Sequence, residues 1–185
     1  SLRTKKRKLL RMKRKKMLSK AQESKLNYIK KGPIYRSLFY DGSTLLFHHA
    51  KGFASAKIHI NFFAGSIYES EHEYGLAHFI EHLPFKEIKT HYVEELEGMG
   101  AEINAFTSKE IICFELSCLA NKVEKCLELF MNLISKLEFT DKHFEQEKKV
   151  IFQELKEDSD DHELVGLELI YKKCFPAEYG HSVGG

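Results

Sequence analysis

The pattern of apolar and polar positions along the first third of the chain predicts three β-strands. Residues 34–40 and 43–50 flank Asp41-Gly42, a pair that tolerates the positive φ of a hairpin turn, so these two segments predict a β-hairpin. Apolar residues then alternate with period two over residues 54–64, which predicts a third strand with one buried face. The residues of that face are Ile58, Ile60 and Phe62.

The following segments predict helices and one more pair of strands. Leu76, Phe79, Ile80 and Leu83 recur at helical spacing, which predicts a helix over residues 74–86 that ends or kinks at Pro84. A short helix follows and closes at two glycines, and after it come two alternating segments that predict paired strands. These elements cover residues 91–100, 100–108 and 110–119.

The last third of the sequence predicts three helices, over residues 121–137, 141–156 and 162–174. Thr140 is the expected N-cap of the second of them. The inward faces are predicted to be Val123, Leu127, Phe130, Met131 and Ile134 in the first helix, and Phe144, Val150, Ile151 and Leu155 in the second. Strands followed by mixed helices and strands predict an α+β fold, with a mostly antiparallel sheet covered by helices in one domain.

Charge is distributed unevenly over the chain. Residues 1–31 contain fourteen Lys or Arg and one acidic residue, a net charge of +13, whereas the rest carries −11. We expect residues 1–31 to be a basic, disordered arm and residues 32–185 to be the folded domain, truncated at its C-terminal end because the sequence stops in a loop. The alternatives for the arm are weak contact with nucleic acid or an anionic membrane, or organelle targeting.

The sequence contains no candidate membrane span and no signal-like apolar segment, because no apolar run approaches the roughly 20 residues that a span requires. The cysteines show no C-x-x-C spacing and are expected to be reduced core thiols. They are Cys113, Cys118, Cys126 and Cys174. These features predict a cytoplasmic protein.

The segment HFIEH contains the strongest candidate for chemistry. Successive helical residues rotate by about 100°, so His78, Glu81 and His82 leave one face of the predicted helix, and two imidazoles four residues apart can reach one metal ion. The alternative is three ordinary polar residues, since such a motif arises by chance about 0.06 times in a chain of this composition. The apolar neighbours favour ligation, because unpaired polar groups beside a core are costly.

A catalytic zinc site needs a third protein ligand and an open position. Four acidic residues of the predicted helix 141–156 and its end are candidates: Glu145, Glu147, Glu154 and Glu157. Glu147 and Glu154 lie about 10.5 Å apart along a helix axis, so one of them can be a ligand and the other should support the site from behind. Their spacing does not choose between them.

Three segments, residues 75–86, 98–110 and 144–158, resemble in order and spacing the pitrilysin/insulinase family of zinc peptidases, whose inverted motif is H-x-x-E-H. The resemblance implies that His78, His82 and Glu154 are zinc ligands, that Glu147 supports them and that Glu81 is the general base. It further implies that Asn104, Ala105 and Phe106 form an edge strand that binds an extended substrate.

The resemblance also implies the class of activity and the partners. We expect a Zn²⁺-dependent endopeptidase domain that hydrolyses extended or presequence-like peptides, as the catalytic half of a peptidase that needs a second homologous half or subunit. The alternative is a non-catalytic subunit or fragment that binds peptides or a partner. The family resemblance adds the mitochondrial matrix as an alternative to the cytoplasm.

Overall fold

The computed structural model describes residues 27–29, 34–86, 90–135 and 139–185, with side chains from residue 34 onward. The chain forms two compact units, Ser1–Gly52 and Phe53–Gly185. Most of the basic segment 1–31 lies outside the described residues, so the predictions for it remain untested.

The first unit contains a three-stranded antiparallel sheet. Its strands, in spatial as well as chain order, are β1 (Asn27–Ile29), β2 (Ile34–Leu38) and β3 (Thr44–His48). The predicted hairpin is confirmed, and residues 39–43 connect its strands. Gly42 adopts φ 88°, and the Asp41 carboxylate accepts hydrogen bonds from the Ser43 amide and hydroxyl at 2.9 and 2.7 Å. The turn therefore uses the two residues that predicted it.

The second unit is built on a three-stranded antiparallel sheet. The strands are β4 (Ser55–Phe62), β5 (Glu102–Thr107) and β6 (Ile112–Leu119), in the order β4-β6-β5. One face of β6 carries Phe114, Leu116 and Cys118 into the core. Because side chains alternate along a strand, the odd-numbered residues of β6 lie on the other face. Among the described residues β5 pairs only with β6, which leaves it at an edge of the sheet.

Five helices complete the described part of this unit. They are α1 (Leu76–His82), α2 (Thr90–Gly98), α3 (Val123–Ile134), α4 (Asp141–Asp160) and α5 (His162–Cys174). A turn of 3-10 helix, Leu83–Phe85, follows α1 and contains Pro84. The α+β class with antiparallel pairing is confirmed. Within the described residues no helix has the length and apolarity needed to cross a bilayer.

The core lies between α1, α2 and α3 and the inner face of the sheet. Its buried residues are Ala77, Leu96, Ala101, Ile112, Phe114, Leu116, Cys118, Cys126, Leu129, Phe130 and Leu133. The predicted inward face of α3 was partly wrong, because Leu127 and Met131 are 36% and 44% exposed. Cys126 and Leu133, which the prediction left out, are buried in their place. Cys118 and Cys126 are free thiols in the core, as expected, whereas Cys113 is buried on the opposite face of the sheet and Cys174 is exposed.

Helix α4 differs from its prediction in length and in its inward face. Thr140 caps it as predicted: its hydroxyl accepts from the His143 amide at 3.3 Å. The helix does not end at residue 156 as predicted, because α4 continues to Asp160. Phe144 and Val150, which were predicted to point inward, are exposed, whereas Glu147 is only 2% exposed. A buried carboxylate in this position needs partners, and it finds them in the candidate site.

Candidate metal centre

Helix α1 carries both candidate imidazoles and is fixed at its start by a carboxylate. Glu69 accepts hydrogen bonds from the amides of Gly75 and Ala77, at 3.0 and 2.6 Å. These amides lie at the helix start, where the backbone has no helical acceptor. Gly75 takes φ 90°, a left-handed conformation that favours glycine. The short helix therefore has a defined position although it has only seven residues.

The two histidines present the same type of nitrogen to one point. His78 Nε2 and His82 Nε2 lie 3.1 Å apart, and the rings are nearly perpendicular, at 85° with centroids 4.7 Å apart. The four-residue spacing places one ring above the other on the helix face, as the sequence predicted. Two aromatic nitrogen lone pairs can thus converge on one ion.

Helix α4 brings a carboxylate to the same point. Glu154 Oε2 lies 3.7 Å from His78 Nε2 and 3.6 Å from His82 Nε2. In a tetrahedral zinc site with bonds of about 2.0–2.1 Å, two ligand atoms lie about 3.3–3.4 Å apart. The three separations are close to that value, so two imidazoles and one carboxylate fit a zinc ion and leave a fourth position open.

Glu147 contacts the opposite side of the second imidazole. Its Oε1 lies 2.6 Å from His82 Nδ1, and its Oε2 forms an ion pair with Lys86 Nζ. A carboxylate at Nδ1 holds the proton there and leaves Nε2 free to bind a metal. The remaining acidic candidates of α4 do not join the cluster: Glu145 is exposed, and Glu157 accepts a hydrogen bond from Gln153.

The Nδ1 atom of His78 has a different environment from the Nδ1 atom of His82. Nδ1 is buried and has no hydrogen-bond partner among the described residues. The chain passes close by at Gly184, where an added Cβ would lie 3.6 Å from Nδ1 and 2.4 Å from Leu155 Cδ2. A side chain at position 184 would therefore displace the Leu155 side chain.

Glu81 lies on α1 beside the imidazoles, and its carboxylate is held by a residue of strand β5. Thr107 Oγ1, at the end of β5, donates a hydrogen bond to Glu81 Oε2 at 2.8 Å. This contact occupies one carboxylate oxygen and leaves Oε1 for another proton. Glu81 is not part of the three-residue cluster whose ligand atoms converge. Its placement suits proton transfer better than ligation.

A cleft of about 950 Å³ opens at this site. His78 and Glu81 line it together with Ala105, Phe106 and Thr107 of β5. Two of the three predicted substrate-binding residues therefore lie along the cleft, while Asn104 is exposed and does not line it. Half of the backbone polar groups of an edge strand point away from its partner strand, so β5 can pair with an extended chain.

The cleft also contains a lysine beside an aromatic ring. Lys109 Nζ donates to the backbone carbonyl of His181 and lies 5.4 Å from the centre of the Tyr171 ring. Burial lowers the pKa of Lys109, against the opposing effect of the Glu168 and Glu69 carboxylates. The cleft also contains Glu110, Asp158 and Glu168, so acidic groups outnumber the single lysine there.

Sequence reasoning missed the residues that position the candidate metal ligands and Glu81. Glu69, Lys86 and Thr107 each act through a contact with a residue at another place in the chain, and no local motif marks them. His181, which no sequence motif marks, stacks on Tyr74 with ring centroids 3.9 Å apart. These contacts become visible only when the elements are packed together.

Comparison with known proteins identifies one matching family model. The model of the insulinase family (peptidase family M16) matches residues 45–184. A "Cytochrome b-c1 complex subunit 1, mitochondrial" from Bos taurus is 37% identical over 98 residues, 51% of this chain and 20% of that protein.

Two further relatives have names that refer to proteolysis. A "Mitochondrial-processing peptidase subunit beta" from Caenorhabditis elegans is 29% identical over 67% of this chain and 28% of its own length. An "Uncharacterized zinc protease" from Rickettsia felis is 29% identical over 75% of this chain and 34% of its own. The chain thus spans about a fifth to a third of the length of these relatives. The family match covers most of the chain and includes the whole candidate centre: the chain belongs to the insulinase family of peptidases, family M16.

Proposed function

We propose that the chain is the catalytic part of a zinc metalloendopeptidase that hydrolyses extended peptides, including presequence-like segments. The convergence of His78 Nε2, His82 Nε2 and Glu154 Oε2 is the observation that supports it, since their separations of 3.1 to 3.7 Å match a tetrahedral zinc site. A zinc ion bound there would supply a Lewis acid that polarises the scissile carbonyl and acidifies a water molecule.

The other residues of the proposed mechanism transfer a proton, orient a metal ligand or bind the substrate. Glu81 Oε1 accepts the proton of the attacking water and returns it to the leaving amine, while Thr107 keeps the carboxylate in place through Oε2. Glu147 and Lys86 orient His82. Strand β5 binds the extended substrate through main-chain pairing at Ala105 and Phe106, with Asn104 continuing the strand.

The acidic lining of the cleft favours basic peptide segments. Glu110, Asp158 and Glu168 lie in the cleft, and the ammonium group of Lys109 is already paired with the His181 carbonyl. Complementary charge raises the local concentration of a cationic substrate and is weakened by salt. This supports presequence-like peptides among the proposed substrates.

A non-catalytic subunit is the second candidate function. It is favoured by the relative named as a subunit of the cytochrome b-c1 complex, whose name refers to an assembly and to no proteolytic activity. In this alternative the cleft binds a peptide or a partner chain without hydrolysis. Either function is compatible with a second homologous half or subunit, which we propose as the partner because two of these relatives are named as subunits.

The proposed location follows from the same relatives. Two of them are called mitochondrial, which supports the matrix as the alternative to the cytoplasm. The free thiols Cys113, Cys118 and Cys126 are consistent with either reducing compartment.

The experiment that tests the proposal measures zinc content and cleavage of a quenched basic peptide on the same samples. Wild type should cleave the peptide, and a chelator should stop it. Glu154→Gln should lose one zinc per chain and all cleavage, whereas Glu81→Gln should keep its zinc and lose cleavage because an amide cannot accept the proton. Glu145→Gln, an exposed carboxylate on the same helix, is the matched control and should match wild type.

The outcomes separate the two functions. Zinc that depends on Glu154, without cleavage either alone or with a complementary half, would establish the non-catalytic alternative. Undiminished cleavage by Glu81→Gln would refute the assigned mechanism.

A further inference from the structure

Three metal-ligating side chains meet on the face of the sheet opposite the core, away from the candidate metal centre. His59 lies on β4, and Cys113 and Glu115 lie two residues apart on β6. Strands β4 and β6 pair so that His59 is directly opposite Glu115. The alternation of a strand places 113 and 115 on the same side, so the register itself brings the three residues together.

The donor atoms lie at distances that suit one ion. His59 Nδ1 is 3.0 Å from Glu115 Oε1 and 3.7 Å from Cys113 Sγ, and all three donor atoms lie within 4.8 Å of one another. In a tetrahedral zinc site, bonds of about 2.0–2.1 Å to nitrogen and oxygen and about 2.3 Å to sulfur separate the donor atoms by about 3.4–3.5 Å. The two measured separations are close to these values.

The three donor residues are held by paired strands, and the cluster is accessible to solvent on one side. Cys113 is 1% exposed, whereas the His59 side chain is 43% exposed. The thiol therefore lies on the buried side of the cluster and the imidazole on its solvent side. Two adjacent strands hold the ligands, which limits the rearrangement that binding requires. Lys57 Nζ lies 3.5 Å from the other oxygen of Glu115, Oε2, and leaves Oε1 to His59.

We propose that His59, Cys113 and Glu115 bind a second zinc ion that links β4 to β6. A thiolate, an imidazole and a carboxylate are ligands that zinc accepts, whereas Mg²⁺ and Ca²⁺ prefer oxygen ligands alone. Binding forms a sulfur–zinc bond and releases the thiol proton to solvent, and the thiolate and carboxylate together neutralise the two charges of the ion. The fourth position is open to water.

Cobalt(II) provides a selective test, because it replaces zinc and gives a thiolate-to-metal charge-transfer absorption only where sulfur is a ligand. The ligands of the candidate metal centre include no sulfur, so the absorption reports the second site alone. The full chain is stripped with a chelator and titrated with Co²⁺. Wild type and His82→Gln should show the absorption, Cys113→Ser should lose it, and Cys174→Ser, which changes an exposed cysteine, should keep it.

The His82→Gln variant keeps this test independent of the proposed peptidase function, since the substitution removes a ligand of the candidate metal centre only. His59→Gln should weaken cobalt binding at the thiolate site by at least about tenfold. Because His59 is partly exposed on a paired strand, this variant decides the question even when Cys113→Ser does not fold. No thiolate absorption in wild type, its survival in Cys113→Ser, or unchanged cobalt affinity in His59→Gln would each overturn the second site.

Discussion

At the scale of single residues, the His82 imidazole explains why α4 needs two glutamates seven residues apart. Glu147 Oε1 lies 2.6 Å from Nδ1, and Glu154 Oε2 lies 3.6 Å from Nε2. The two carboxylates are about 10.5 Å apart along the helix axis and cannot share one ion, but an imidazole ring between them can contact both. In the proposed site, Glu147 orients the ring and Glu154 completes the ligand set.

We predict that Glu147→Gln weakens zinc binding by about 10- to 100-fold, because the amide removes the negative charge that supports His82 as a ligand. The affinity in question is that of the zinc ion at the candidate metal centre, which is identified as the ion that His82→Gln no longer binds. Competition with a chromophoric chelator measures this affinity. Glu145→Gln should bind as wild type does. Equal affinities for Glu147→Gln and wild type would contradict the role assigned to this buried carboxylate.

The cysteines differ in exposure, and this predicts their reactivity in the metal-free chain. Burial, with a contribution from Cys126, raises the pKa of Cys118 to about 11, and burial raises the pKa of Cys113. The thiolate is the reactive form, so near neutral pH only Cys174 should be alkylated quickly in the folded protein. Mass spectrometry should find one fast site, none in Cys174→Ser and, for wild type in denaturant, all four cysteines modified. More than one fast site in the folded chain would contradict the prediction.

At the scale of elements, α1 depends on the carboxylate that caps it. A helix of seven residues has little stability by itself, and Glu69 satisfies two of the amides at its start. Because α1 carries both imidazoles, the geometry of the metal centre depends on this contact. The same carboxylate lies 3.6 Å from His181 Nε2, which connects the helix start to the last residues of the sequence.

Glu69→Ala should therefore lower the free energy of unfolding by about 1–2 kcal/mol, as the loss of an N-cap does. Zinc affinity at the candidate centre should fall with it, because the imidazoles lose their fixed position. Urea unfolding and chelator competition measure the two effects. The control is Glu71→Ala, an exposed acid in the turn before the helix, and a loss in Glu69→Ala no greater than in this control would contradict the capping role.

The order of the elements could be predicted from periodicity, but the orientation of some helices could not. Helix α3 has a wide apolar face that covers more than half of its circumference, so its pattern does not fix which part of that face is buried. Packing against β6 decides it: Cys126 and Leu133 are buried while Leu127 and Met131 are not. In α4 the deviation has another cause, because Glu147 takes an inward position that an apolar pattern assigns to hydrophobic residues.

At the scale of the whole molecule, the candidate site was predictable only in part. Helical spacing indicated that His78 and His82 share a face, while Glu154 could be chosen from four acids only through the family resemblance. Thr107 and Lys86 could not be predicted, since their roles arise from contacts between separate elements. The second cluster on the sheet was missed for the same reason: His59 and Cys113 are far apart in sequence and meet through strand register.

All residues of both proposed metal sites belong to the unit Phe53–Gly185. The family match begins at residue 45 and extends to residue 184, so it includes this unit almost completely. The relatives are more than twice as long as the chain. Both proposed metal sites therefore lie in this unit, and metal binding, the substrate and the partner are all proposals.

The most direct test is a crystal structure of the zinc-loaded chain with anomalous scattering at the zinc edge. The ion should bind His78 Nε2, His82 Nε2 and a Glu154 carboxylate oxygen at about 2.0–2.2 Å. Glu147 should remain on His82 Nδ1. A Glu154 carboxylate turned away from an ion held by the two imidazoles, or no ion between them at saturating zinc, would contradict the central claim.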